Sequence, residues 1–132
     1  MNEFSMKNWD EHLASGEEGG PRVAYAHATM EYHGVIEGES MCDYLLYYEG
    51  DGYDGGGTTS PSFERFDGVV DGRRGTFVVR HEGGFDPKGI WSKFEVVPGS
   101  ATGELAGLAG AGTVTGVLGE PTVSYTFDYR LG

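Results

Sequence analysis

Residues 122–131 have the sequence TVSYTFDYRL, in which apolar and polar side chains alternate strictly. The apolar positions are Val123, Tyr125, Phe127, Tyr129 and Leu131. Successive side chains of a strand point to opposite faces of a sheet, whereas a helical face repeats every three to four residues. The stretch is therefore predicted to be a half-buried β-strand.

Glycine-rich breaks divide the chain into segments of similar length, and 24 of its 132 residues are glycine. The eight segments cover residues 3–10, 22–33, 39–49, 62–70, 74–82, 90–97, 111–118 and 122–131. Most have strand length and end at turn residues, a pattern that permits a barrel or a sandwich. Short connections favour consecutive antiparallel hairpins. We predict one all-β domain over residues 1–132, a closed eight-stranded antiparallel barrel with at most a short helical turn from Thr102.

The charge of the chain argues against two classes of partner. Nine Lys and Arg against 21 Asp and Glu give a net charge of −12. Nucleic acids and anionic membranes bind clustered basic side chains, so neither is expected as a partner. The first twenty residues are acidic and lack an apolar run, so no signal peptide is expected and the predicted location is cytoplasmic. Cys42 is the only cysteine, and it is interpreted as a small buried strand residue.

Two polar residues fall in phase with apolar ones. His81 alternates with Phe77 and Val79, and Glu64 alternates with Phe66. If both point into the barrel, they form an acid–base pair and become candidate catalytic residues. The alternatives are a His81 that is hydrogen-bonded to a turn at Gly83 and Gly84, and a Glu64 that points outward near Arg65 or Arg80.

Other polar groups are given structural interpretations. Glu104 and Thr102 are typical of a helix N-terminus. His27, Glu31 and His33 share one strand face, which is interpreted as solvated. The acidic stretch with Glu49, Asp51 and Asp54 lacks the spacing of a calcium loop, and no glycine run matches a nucleotide-binding motif. We therefore expect neither a metal site nor a cofactor.

Three stretches carry a resemblance to a known family, with Asp67-Gly68 and Asp71-Gly72 ahead of them. They are FVVRHEG over residues 77–83, VVPGSATGELAGL over residues 96–108, and YTFDY over residues 125–129. Nearly the whole chain resembles the bacterial domain of unknown function 3224 family, although Ala101 stands where that family usually has glycine. The family is similar to the allene oxide cyclase-like barrels, which implies an eight-stranded barrel. The resemblance implies no catalytic residue, because no motif in this chain matches the catalytic residues of the allene oxide cyclase-like barrels position by position.

Three functions remain open. The first is the binding of a small apolar ligand within the barrel. The predicted lining residues are Leu46, Tyr48, Phe66, Phe77, Phe94, Tyr125 and Phe127. The second is a cofactor-free isomerase or cyclase that uses Glu64 or His81. The third is a filled barrel that acts through self-association or a protein partner. The segment 39–49 is apolar on both faces, so we expect a homo-oligomer, with a symmetric dimer favoured.

Overall fold

The computed structural model describes residues 2–17, 20–48, 58–59, 61–86, 89–117 and 119–131. Most of them lie in strands. The strands are β1 (Glu3–Gly16), β2 (Arg22–His33), β3 (Ile36–Tyr48), β4 (Thr58–Thr59), β5 (Ser62–Val70), β6 (Arg73–Asp86), β7 (Gly89–Val96), β8 (Leu108–Val117) and β9 (Val123–Leu131). One turn of 3₁₀ helix covers Gly103–Leu105, which confirms the short helical turn. No helix in the described part of the chain is long and apolar enough to cross a membrane.

Antiparallel pairing closes the sheet on itself. Each long strand pairs with its neighbours in the chain, β6 pairs with both β5 and β7, and β1 pairs with both β2 and β9. The short β4 pairs with the end of β6 and is not one of the closing strands. The prediction of a closed eight-stranded antiparallel barrel is confirmed.

Several strands are longer than predicted, and in β3 and β6 the reason is that a glycine lies inside the strand and not in a turn. β3 begins at Ile36, before Gly38, and β6 continues past Gly83. A Cβ atom added at Gly38 would lie 2.5 Å from the carbonyl oxygen of Asp67, and one at Gly83 would lie 2.2 Å from that of Trp91. These glycines allow neighbouring backbones to approach closely. The breaks predicted at these two positions are therefore wrong.

Stacked aromatic rings fill much of the barrel. The ring of Phe77 stacks on Phe66 with centroids 4.7 Å apart and on Phe127 with centroids 6.2 Å apart. Phe94 lies 5.8 Å from Phe127. Leu105 of the 3₁₀ turn is fully buried in the same core. The segment quoted for the family resemblance, residues 96–108, therefore contributes to this core.

The pairing that closes the barrel between β1 and β9 is short. β1 pairs with β9 only at Glu3–Ser124 and Phe4–Val123, and a bulge between Met6 and Asn8 follows. Beyond the bulge β1 pairs with β2 alone. Residues 5–16 of β1 therefore have no pairing with β9.

Candidate functional site

Glu64 lies at the centre of the candidate site, on the inner face of β5. It is 1% exposed. Its carboxylate accepts hydrogen bonds from the Tyr32 hydroxyl at 2.8 Å, the Ser40 hydroxyl at 2.5 Å and His81 Nε2 at 2.7 Å. Burial, together with the nearby Glu64 charge, holds the pKa of Tyr32 well above its usual range, so this hydroxyl remains a donor. The outward orientation near Arg65 or Arg80 is wrong, and the inward one is confirmed.

His81 reaches Glu64 from the adjacent strand. It is 7% exposed, and its ring lies 5.3 Å from that of Phe94. Its Nδ1 lies 2.8 Å from the Ser92 hydroxyl of β7. The interpretation that His81 binds a turn is wrong, because the residues that follow it continue β6. The predicted pairing of Glu64 with His81 is confirmed, and Ser92 extends it to a third strand.

The hydrogen bonds determine which ring nitrogen of His81 carries a proton. A carboxylate only accepts hydrogen bonds, so His81 Nε2 carries the proton that Glu64 accepts. In the neutral ring Nδ1 then has a free lone pair, and the Ser92 hydroxyl donates to it. With His81 neutral, a donor chain therefore runs from Ser92 through His81 to Glu64.

Cys42 and Ser62 adjoin this network. The Cys42 sulfur, a carboxylate oxygen of Glu64 and a ring nitrogen of His81 all lie within 4.8 Å of one another. Burial and the Glu64 charge raise the pKa of the Cys42 thiol, which makes it a poor nucleophile. The Ser62 hydroxyl is buried beside Cys42 and makes no hydrogen bond of acceptable geometry with the described residues.

A cavity of about 100 Å³ lies over the network, at the end of the barrel where β1 leaves β9. Its lining is Phe4, Met6, Met30, Tyr44, Ser62, Glu64, His81, Gly83, Gly84, Ile90, Trp91, Ser92 and Val114. The rim residues Met6, Ile90 and Trp91 are partly exposed, so the cavity is open to solvent on that side. Its walls are mostly apolar, and its polar groups are Ser62, Ser92, Glu64, His81 and the Tyr44 hydroxyl. No Lys or Arg belongs to this described lining.

The residues predicted to line a pocket lie elsewhere. Phe66, Phe77, Phe94, Tyr125 and Phe127 are buried in the aromatic core. Leu46 packs with Ala24 and Ala26 in a second, smaller cluster, and the side chain of Tyr48 is outside the described residues. None of the six described side chains belongs to the cavity lining, because the rings fill the barrel and the free volume is left at its end.

The other polar candidates lie on the outside of the barrel. His27 pairs with Asp43 at 2.7 Å, and His33 contacts Glu31 and Glu37 at 3.3 Å each. Glu49, Asp51 and Asp54 fall outside the described residues.

The two residues assigned to a helix start also have other partners. Glu104 accepts a hydrogen bond from the backbone N–H of Arg74 at 3.2 Å. Thr102 occupies the N-cap position of the 3₁₀ turn, but its hydroxyl bonds to Thr76 and not to the turn itself.

Sequence reasoning missed Ser92, Tyr32, Ser40 and Ser62 as parts of the site. One signal was available for Ser92, which alternates with Phe94 and Val96 and so falls on the inner face of β7. Its contact with His81 depends on the register that pairs Gly83 with Ser92. Strand register is not encoded in the spacing of either segment alone.

Comparisons with known proteins agree on the family and the fold. Residues 1–129 match the family described as "Protein of unknown function (DUF3224)". A similar solved structure is the 1.84 Å crystal structure of a protein with unknown function from that family, from Shewanella oneidensis MR-1. The two chains are 22% identical and superpose with a TM-score of 0.72, over 100% of this chain and 99% of the other. None of the curated proteins matches the chain.

Proposed function

The chain belongs to the DUF3224 family, and we propose that it binds a small, neutral, mainly apolar molecule in the cavity over Glu64 and His81. The observation that carries this proposal is the buried Ser62 hydroxyl, which lines the cavity beside the Cys42 thiol and makes no hydrogen bond of acceptable geometry with the described residues. Buried polar groups normally have partners. A ligand hydroxyl or carbonyl in the cavity would give Ser62 one.

The charge of the site selects a neutral ligand. Glu64 lies at the floor of the cavity, and the described lining contributes no Lys or Arg to balance an incoming anion. The chain as a whole carries −12. A buried carboxylate beside a second, unpaired one is unfavourable. Alcohols, ketones and esters are therefore favoured over fatty acids.

The size of the cavity limits what can enter. Pockets for drug-sized ligands measure roughly 300–1,000 Å³, whereas this cavity measures about 100 Å³. A short aliphatic chain or one small ring therefore enters, with any longer part projecting past the rim at Trp91. The apolar wall, with Met30 and Val114, favours such a group because its burial removes apolar surface from water.

A homologous series of 1-alkanols tests the proposal. Each buried methylene contributes about 0.8 kcal/mol, which corresponds to about fourfold in affinity. Thermal shifts at fixed concentration should therefore increase with chain length until the cavity is full, and then level off. The matching carboxylates should give much smaller shifts.

Two matched substitutions locate the binding. Ser62→Leu fills the cavity from its wall and should abolish the alkanol shifts, while Ser124→Leu, on the exposed face of β9, should leave them unchanged. Equal shifts in both variants would show that the alkanols bind elsewhere. If no alkanol shifts the melting temperature of the native protein, the filled-barrel alternative replaces this proposal.

A cofactor-free isomerase or cyclase is the second candidate function. The observation that favours it is the His81–Glu64 pair at the floor of an apolar cavity, in which His81 Nε2 lies 2.7 Å from Glu64 Oε1. A histidine held by a carboxylate is a common arrangement for proton transfer. The test is turnover: a bound ligand recovered unchanged from the native protein would count against it, and a rearranged product lost in His81→Gln would support it.

A further inference from the structure

Ser92, His81 and Glu64 form a linear hydrogen-bonded chain across three strands. The Ser92 hydroxyl lies 2.8 Å from His81 Nδ1, and His81 Nε2 lies 2.7 Å from Glu64 Oε1. Nucleophilic catalysis by serine requires this order of groups: a hydroxyl, a base within hydrogen-bond reach, and a third group that orients the base. We propose that Ser92 is a nucleophile that accepts an acyl group from small neutral esters.

The environment of Glu64 prepares His81 to act as the base. Tyr32 and Ser40 both donate to the Glu64 carboxylate, so the carboxylate is fixed in position before any substrate arrives. It holds the His81 proton on Nε2 and leaves the Nδ1 lone pair directed at Ser92. It also stabilises the imidazolium that forms when His81 takes the serine proton.

Ser92 differs from the other two serines of the site in a way that suits this role. Ser40 is 3% exposed and donates to Glu64, and Ser62 is 4% exposed and makes no bond to His81. Ser92 is partly exposed, lines the cavity and bonds to the histidine. The backbone carbonyls of Glu82 and Lys93 also accept from the Ser92 hydroxyl, at the longer distances of 3.4 and 3.3 Å, and compete with His81 Nδ1 for its one proton. The short contact is therefore the one with His81.

The reaction step balances within these groups. Ser92 Oγ forms a bond to the carbonyl carbon of the ester, and the hydroxyl proton moves to His81 Nδ1. The bond between the carbonyl carbon and the leaving oxygen then breaks, and the same proton moves to that oxygen. Acyl-Ser92 and an alcohol are the products, and water regenerates the hydroxyl by the reverse sequence. The Ser62 hydroxyl, which lines the same cavity, would donate to the carbonyl oxygen.

The substrate class follows from the cavity. This inference rests on the proposed function, since the acyl group must occupy the same volume of about 100 Å³. A neutral ester with a short acyl chain fits, and one with a charged acyl group does not. p-Nitrophenyl acetate is a suitable probe, because its acetyl group is small and its leaving group is visible in solution.

The sequence around Ser92 makes the product simple to identify. Trypsin cleaves after Lys88 and Lys93 and releases the peptide GIWSK, residues 89–93, in which Ser92 is the only serine. Acetylation of Lys93 would block that cleavage, so an acetylated GIWSK peptide reports Ser92 alone. The expected result is acetyl-GIWSK in the native protein, together with a burst of nitrophenolate close to one equivalent.

Three variants test the role of each group. Ser92→Ala should abolish the burst, and His81→Gln should lower its rate by at least about 100-fold, as loss of a general base does. Ser124→Ala, on the exposed face of β9, should behave as the native protein.

The outcomes separate this inference from the proposed function. Alkanol shifts without acetyl-GIWSK would overturn the nucleophile and leave the binding proposal standing. Loss of both would overturn both. Acetylation that persists at the same rate in His81→Gln, with that variant folded as judged by its thermal transition, would show that Ser92 reacts without the relay and would also overturn the inference.

Discussion

At the scale of single residues, Glu64 determines the chemistry of the barrel interior. It is a carboxylate that is almost completely removed from water and is held by three donors, His81, Tyr32 and Ser40. Such a group is tolerated only when its partners compensate for lost hydration. The same donors fix the orientation of His81, so stability and the proposed chemistry depend on one network.

Removal of the Glu64 carboxylate should therefore strongly destabilise the fold. Glu64→Ala leaves three donors unpaired, and we expect the free energy of unfolding to fall by about 3–5 kcal/mol. The control is Glu95→Ala, which removes an exposed partner of Arg80 at 3.7 Å and should change stability by about 1 kcal/mol or less. Urea unfolding of both variants measures the difference, and equal losses would contradict the account of Glu64.

The sequence indicated this site only in part. The phase of Glu64 with Phe66 and of His81 with Phe77 is visible as alternation, so the sequence allows the two residues to meet inside a barrel. Ser92 and Tyr32 are separated from their partners by 11 and 32 residues, and only the strand register brings them together. Neither spacing nor composition contains that register.

At the scale of elements, β9 shows how the alternating pattern is used. Its inner face carries Phe127 into the aromatic core, while Thr126 lies outside and bonds to Thr113 of β8. The two positions are adjacent in the chain and belong to different environments. Substitutions at both therefore test the strand assignment directly.

We expect Phe127→Ala to lower the free energy of unfolding by about 3–5 kcal/mol, because a buried ring leaves a cavity. Thr126→Ala removes one exposed cross-strand pair and should lower it by about 1 kcal/mol or less. Chemical denaturation gives both values. Similar losses at the two positions would show that the faces of β9 are assigned wrongly.

One limit of strand prediction here comes from glycine. Glycine marks a turn when its backbone needs a positive φ, as at Gly72 in the β5–β6 hairpin, where φ is 74°. It also marks a close approach of two strands, as at Gly83. A glycine in a turn and a glycine at a close approach look the same in the sequence, so predicted segments end too early at internal glycines. The segment 62–70 has no such break, and its predicted bounds are the observed ones.

At the scale of the whole molecule, the buried acidic groups predict how stability changes with pH. Burial raises the pKa of the Cys42 thiol and of the Tyr32 and Tyr44 hydroxyls above their ordinary values of 9.0 and 10.0. Above pH 9 the unfolded chain loses these protons while the folded chain keeps them. The unfolded state then binds fewer protons, so the free energy of unfolding decreases as pH rises.

The stability from these groups should be present in full below pH 9 and be lost as pH rises towards the folded-state pKa values. Each group contributes a slope of up to about 1.4 kcal/mol per pH unit. Urea unfolding between pH 7 and 11 measures it, and Cys42→Ala should remove the part that begins near pH 9. Identical slopes with and without the thiol would contradict the assignment to Cys42.

The outer face of β3 supports the expectation of a dimer. Met41, Leu45 and Tyr47 are 57%, 54% and 42% exposed, and Phe63 of the adjacent β5 is 56% exposed. Exposed apolar groups in one patch are typical of interaction surfaces, and we predict that a second copy of the chain covers this one. Light scattering should give twice the monomer mass, and Leu45→Lys should give the monomer. A monomer at all concentrations of the native protein would refute this prediction.

We propose that the cavity at the end of the barrel takes a small neutral ligand beside His81. A titration of the ¹⁵N-labelled protein with 1-hexanol, followed by two-dimensional NMR, tests it most directly. We expect saturable shifts concentrated at the amides of Gly83, Gly84, Trp91 and Ser92, which line the cavity. Shifts spread evenly over the chain, or none at millimolar alcohol, would contradict it.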